Sequence, residues 1–146
     1  MEIGRRLAAL LLVAAAASAG CGEQDEDQRT AVRDAFADLS GALARDDLAS
    51  ACVSMTPAAA NHIGSLAHGS PRGCERDLRR LFRLTRRTDP ASRRRLRLVR
   101  LTVDGDTAKV LAANGEGWTA ALPFVRVEGE WKANRLFAVT GPPVNH

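Results

Sequence analysis

Three cysteines, three histidines and a dense run of arginines are the residues of this chain whose types and spacing bear on chemistry. Cys52 and Cys74 are separated by a span that a disulfide closes readily in an oxidising compartment, and Cys21 is then the odd thiol. Two buried thiols are the alternative for that pair. His62, His68 and Cys74 do not follow the C-x2-C or H-x3-H spacing of a zinc site, so no metal or cofactor is expected. His62 has no identifiable acid to orient it as a general base, and His146 is the last residue. The serines, at 40, 50, 54, 65, 70 and 92, all lie outside a glycine-flanked nucleophile elbow. Asn114-Gly115-Glu116-Gly117 reads as a turn between strands rather than a phosphate loop. No catalytic constellation emerges.

The arginines are more pronounced. Between Arg72 and Arg100 there are twelve, against three acids, Glu75, Asp77 and Asp89, while the whole chain has a net charge of only +4. Arg76, Arg80, Arg83 and Arg87 share one helical stripe. Such a face suits an anionic partner, such as phospholipid headgroups or an acidic envelope polymer. It equally suits a solvated surface in a chain that uses arginine almost wherever lysine would serve, since Lys109 and Lys132 are its only lysines.

The N-terminus assigns a compartment. Arg5 and Arg6 precede an apolar run from Leu7 to Ala17, and small residues lead to Cys21. These are the three parts of a secretory signal, and the run is too short to span hydrocarbon. Ser18-Ala19-Gly20-Cys21 resembles a lipobox, with serine where leucine is usual. Lipidation of Cys21 would anchor the chain to the outer face of the cell membrane and remove the unpaired thiol. Cleavage after Ala19, following Ala17-Ser18-Ala19, would instead secrete it. Export argues against nucleic acid as the partner of the arginines, and two tryptophans with four phenylalanines are too few for a base-stacking surface.

These residues need elements to position them. The reading is a signal segment over 1–20, an acidic tether over 21–28, a single domain over 29–140 and a tail over 141–146. Val32, Ala35, Phe36, Leu39, Ala42 and Leu43 recur at helical spacing between Gln28 and Arg45. Asp46 or Asp47 caps a short second helix through Cys52, and Thr56-Pro57 opens a third over Ala58 to Leu66. A fourth runs from Cys74 to Arg87, stopped by Asp89-Pro90. From Leu96 the period becomes two. A hairpin at Asp104-Gly105 is expected to set Leu101 opposite Ala108 and Val99 opposite Val110. A second, around Glu128-Gly129, sets Arg126 opposite Trp131 and Leu122 opposite Arg135. Helices followed by a four-stranded antiparallel meander make an α+β domain with the helices on one sheet face.

Several motifs in this order resemble the nuclear transport factor 2-like superfamily, of cystatin-like fold. They are Val32-x-x-Ala35-Phe36-x-x-Leu39, Asp46-Asp47-Leu48-x-x-Ala51-Cys52, Val103-Asp104-Gly105-Asp106-x-Ala108-x-Val110 and Val127-Glu128-Gly129-Glu130-Trp131-Lys132. The resemblance spans about Thr30 to Ala138, and exported lipoproteins of this type often carry a cysteine pair like Cys52 and Cys74. It implies a curved sheet with a cone-shaped pocket under the helices. Trp118, Leu122, Phe124, Arg126, Trp131, Arg135 and Phe137 are the candidate lining, or else the ordinary core. The superfamily's enzymes put Asp, His or Tyr in that cone. This chain has no tyrosine, and Asp104, Asp106, Glu128 and Glu130 fall in turns. The expectation is therefore a non-enzymatic domain that binds a small ligand or an envelope protein. A pocket isomerase or hydrolase and electrostatic adhesion through the arginine helix are the alternatives, and oligomeric state is left open.

Overall fold

The computed structural model describes residues 20–86, 95–115, 117 and 119–136. Residues 1–19, which hold all but the last residue of the expected signal segment, lie outside these residues, as do Arg87, Asp89-Pro90, Trp118, Phe137, the segment over 141–146 and the side chain of Cys21. Four helices come first: α1 (Gly20–Ala44), α2 (Leu48–Val53), α3 (Pro57–His68) and α4 (Cys74–Arg86). Four strands follow: β1 (Arg97–Asp104), β2 (Thr107–Ala113), β3 (Thr119–Val127) and β4 (Glu130–Ala133). They form one antiparallel sheet in chain order, an α+β architecture.

Helix α1 begins eight residues before the expected Gln28, so the acidic stretch is helical rather than irregular. Glu23, Gln24, Glu26 and Gln28 are good helix formers, and carboxylates early in a helix complement the positive end of the macrodipole. Glu26 pairs with Arg33 at 3.1 Å, and Gln28 Oε1 accepts a hydrogen bond from Trp131 Nε1 at 3.2 Å. Farther along, Val32, Phe36, Leu39 and Ala42 are buried as one stripe against the sheet.

The cap residues act as their types dictate. Asp47 accepts from Ser50 N and starts α2. Thr56 accepts from Ala59 N, with Pro57 in the first turn of α3, and Gly69 ends that helix in the left-handed region at φ 77°. Thr56 also donates from its hydroxyl to Asn134 Oδ1 at 2.9 Å. The backbone around it adds to the free edge of β4: Thr56 N donates to Ala133 O and Ala133 N to Ser54 O, each at 2.9 Å. The α2–α3 connection thereby covers a sheet edge that would otherwise present unpaired groups.

Both hairpins form, with one register corrected. In the first, Gly105 and Asp106 are the two turn residues, so Asp104 pairs with Thr107, Val103 with Ala108 and Leu101 with Val110. Gly105 has φ 58°, and glycine at the first central position is what a two-residue turn of the II′ kind favours. The shift is by two residues, so Leu101 and Val103 keep their expected face. Val99 does not, because a bulge between Leu98 and Arg100 turns Leu98 inward and leaves Val99 44% exposed. Upstream of the bulge, buried Ser40 grips both backbone groups of Leu96, donating to its carbonyl at 3.2 Å and accepting from its N–H at 3.0 Å. In the second hairpin Glu128 and Gly129 both have positive φ, 53° and 85°, the requirement of a I′ turn. Arg126 pairs with Trp131 as expected. The Leu122–Arg135 pair does not form, because β4 ends at Ala133; Asn134 N still donates to Pro123 O at 2.8 Å, while its side chain accepts from Thr56.

The core is one cluster between the helices and the inner sheet face, joining Phe36, Leu39, Ile63, Leu78, Phe82, Val110, Leu122, Phe124 and Trp131. Arg100, Thr102 and Lys109 point outward on the opposite face.

Candidate functional site

Cys52 at the end of α2 and Cys74 at the start of α4 have their Sγ atoms 2.10 Å apart and their Cα atoms 6.0 Å apart, a disulfide pair. That bridge fixes the end of the arginine helix. Along α4, Leu78 and Phe82 are buried in the core and Leu81 is half-buried, whereas Arg76, Arg79, Arg80 and Arg83 are exposed. The expected stripe is therefore a solvent-facing row of guanidinium groups over the residues described. Arg87, its fourth member, lies outside them.

Beneath that row is a pair that sequence reasoning missed. Asp77 is only 1% exposed. Its carboxylate accepts from Arg72 N, at 3.0 Å to Oδ2 and 3.3 Å to Oδ1, and its Oδ1 lies 3.4 Å from His68 Nε2. The imidazole is within ion-pair distance but not aligned as a hydrogen bond, and Nε2 is buried without another partner. Asp77 falls on the helical stripe of Cys74, Leu78, Leu81 and Phe82, and that periodicity was the available sign that it points inward. A carboxylate beside a histidine is two-thirds of a hydrolase triad, but there the histidine needs its Nε2 open to a nucleophile. Here Nε2 faces the carboxylate and is sealed. The pair is a structural tie between the α3–α4 loop and the first turn of α4. His62 is half-buried on α3, and no ion pair joins it to a described carboxylate.

The residues named for a cone-shaped pocket separate into two groups. Leu122, Phe124 and Trp131 are 2%, 1% and 7% exposed and pack in the core. Arg126 lies at the rim, its guanidinium 6.0 Å from the Trp131 ring centroid and paired with Asp106. Arg135 is exposed beyond the end of β4. Helix α1 fills the space where a cone would open, since Val32, Phe36 and Leu39 reach the same cluster. Trp118 and Phe137 lie outside the described residues.

Concave surface occurs elsewhere. One cleft of about 440 Å³ lies between the acidic start of α1 and the β1–β2 turn, lined by Asp25, Asp27, Gln28, Val103 and Arg126 among others. Another, of about 550 Å³, runs between α1 and α2 beside Arg95 and includes Asp38, Arg45, Ser50 and Ser54. A smaller cleft of about 260 Å³ adjoins it, sharing Ala37 and Arg95 and adding Phe36, Leu96 and Leu98. Among the described residues no group of three His, Cys, Asp or Glu is placed to hold a metal ion, and no helix is long and apolar enough to cross a membrane. No family model, no curated protein and no solved structure matches this chain.

Proposed function

We propose that this chain is an exported, lipid-anchored binding domain without catalytic activity, of the nuclear transport factor 2-like, cystatin-like class, which meets anionic lipid headgroups through the arginine face of α4. The observation that carries this reading is the exposed row of Arg76, Arg79, Arg80 and Arg83 on a helix whose other side is committed to the core and whose first residue is bridged to α2. A cationic face built this rigidly presents its charges together, and each basic residue near an anionic membrane surface contributes roughly 1 kcal/mol. The leader and Cys21 supply the compartment: a thioether at Cys21 holds the domain beside headgroups, and the Cys52–Cys74 pair suits an oxidising exterior. The helices-then-meander order and the motifs from Val32 to Lys132 support the class.

The test uses the Cys21→Ser protein, which lacks the anchor, with vesicles of neutral lipid or of neutral lipid plus about one-third anionic lipid. Co-sedimentation should require the anionic lipid and weaken with salt. The triple variant Arg76→Gln, Arg80→Gln, Arg83→Gln should lose about a hundredfold in affinity, from three charges at roughly 1 kcal/mol each. Binding indifferent to both lipid charge and salt would reject the lipid surface, and binding only to an acidic polysaccharide would move the partner to the envelope polymer. In the native host, Cys21→Ser should move the protein from membrane to medium; an unchanged membrane fraction would contradict the anchor.

A further inference from the structure

Gly41 lies inside α1, a position where glycine destabilises a helix relative to alanine. Its backbone does not require it, because Gly41 is not among the residues with positive φ. What its missing side chain permits is a close approach. A Cβ there would sit 2.9 Å from Arg45 Nη1 and 3.8 Å from Arg95 Nη2. Two guanidinium groups from distant parts of the chain thus converge over one bare stretch of helix. Among the described residues neither is in an ion pair with a carboxylate. Asp47 feels the charge of Arg45, and Asp38 lies on the cleft wall without pairing with either arginine. The same cleft, about 550 Å³, carries Ser50 and Ser54 on its α2 side.

Arg45 and Arg95 are exposed on the cleft wall, where an anion between them would offset their mutual repulsion, and guanidinium groups match the oxygens of phosphate through paired N–H donors. The volume falls within the usual range for small-molecule sites and exceeds what a bare phosphate ion fills. Past the shared Arg95 and Ala37, the adjoining cleft continues over Phe36, Leu96 and Leu98. We infer that Arg45 and Arg95, brought together over Gly41, form a binding site for an organic phosphate, with the phosphate between the guanidinium groups and an apolar remainder lying over Ala37 toward Phe36, Leu96 and Leu98. This site lies apart from the α4 face and does not depend on the lipid-surface reading.

Titration of the Cys21→Ser protein by amide NMR at constant ionic strength tests it, with inorganic phosphate, glycerol 3-phosphate and dihexanoyl phosphatidic acid as probes and chloride as the control. Saturable shifts should cluster at residues 37–41, 49–54 and 95–98. Arg95→Gln should weaken binding at least tenfold. Gly41→Ala should weaken it several-fold while raising Tm, because the added methyl displaces only the tip of Arg45 and improves the helix; a loss of binding caused by misfolding would lower Tm instead. The triple Gln variant of Arg76, Arg80 and Arg83 should leave these shifts in place, which separates this site from the α4 face. Tighter binding of the acylated probe supports the site with a lipid headgroup as the source, and tighter binding of glycerol 3-phosphate supports it with a free phosphorylated molecule. Absence of saturable shifts, or shifts untouched by both Arg95→Gln and Gly41→Ala, would overturn the site.

Discussion

Replacing Asp77 with alanine should be among the most destabilising single changes in the described part of the chain. The carboxylate is 1% exposed and accepts from Arg72 N through both oxygens, with His68 Nε2 at 3.4 Å. A hydrogen bond to a charged group contributes about 1.5–3 kcal/mol, and losing the acceptor strands a part-buried N–H. Asp77 also sits in the first turn of α4, where a negative charge adds about 0.3–1 kcal/mol against the helix macrodipole. Burying the carboxylate costs part of this, so the net loss expected for Asp77→Ala is about 3 kcal/mol. For a domain of this size that lowers Tm by about 12 °C. Asp77→Asn keeps an acceptor for Arg72 N and sets an amide N–H against His68 Nε2, so it should lose only about half as much. Urea unfolding without reductant is the assay, because the Cys52–Cys74 bridge then holds α4 to α2 in every variant. A loss under about 1 kcal/mol for alanine, or equal losses for alanine and asparagine, would refute the assignment of Asp77 as the acceptor that ties the α3–α4 loop to α4.

The remaining predictions concern neighbouring features. Gly64→Ala should destabilise by about 1–3 kcal/mol, because its Cβ would lie 2.5 Å from the Pro71 backbone and 2.6 Å from Asp77 Oδ2, and backbone cannot yield cheaply. Thermal melts should place it opposite in sign to Gly41→Ala, where only a flexible arginine tip stands in the way. The double variant Cys52→Ser, Cys74→Ser should lose about 3 kcal/mol on the chain-entropy model for a loop of this length, read by urea unfolding against the oxidised protein. Hydrogen bonding from the Ser50 side chain, then from its backbone N–H, with a smaller pull from Arg45, holds the Asp47 carboxyl below its ordinary 3.8. Since the folded-state value is the lower one, the cap stabilises fully above about pH 4 and is lost as pH falls through that depressed value. Melts from pH 5 to 2 should show a shallower acid loss for Asp47→Ser than for the parent, and parallel curves would contradict the cap assignment.

The local alphabet of this chain carried its element order. Thr56-Pro57, Asp47, Glu128-Gly129 and the apolar stripe from Val32 to Leu43 are short-range signals, set by side chains bonding their own backbone or by periodicity along one segment, and each element they announce is present. The change from helical to alternating period near Leu96 was equally local, and the four-stranded meander follows from it. The first hairpin's register was legible only to within two residues, because Asp104-Gly105 and Gly105-Asp106 both make acceptable turns and a two-residue slip keeps the same face inward. The bulge at Val99 had no local sign.

Other features required the folded chain. Asp77 is buried because α3 and the loop after it close over the first turn of α4, and His68, Arg72 and Gly64 reach it only through that packing. Trp131, Leu122 and Phe124 had residue types suited equally to a ligand cavity and a core, and the placement of α1 across the sheet decided for the core. Arg45 and Arg95 were two arginines among many until the fold brought both to Gly41. Sequence spacing determines what a segment does with itself, because caps, turns and amphipathic stripes are contests within a few residues. Which side chains meet across segments is decided by packing, where burial and excluded volume act between residues whose separation along the chain carries no record of their contact.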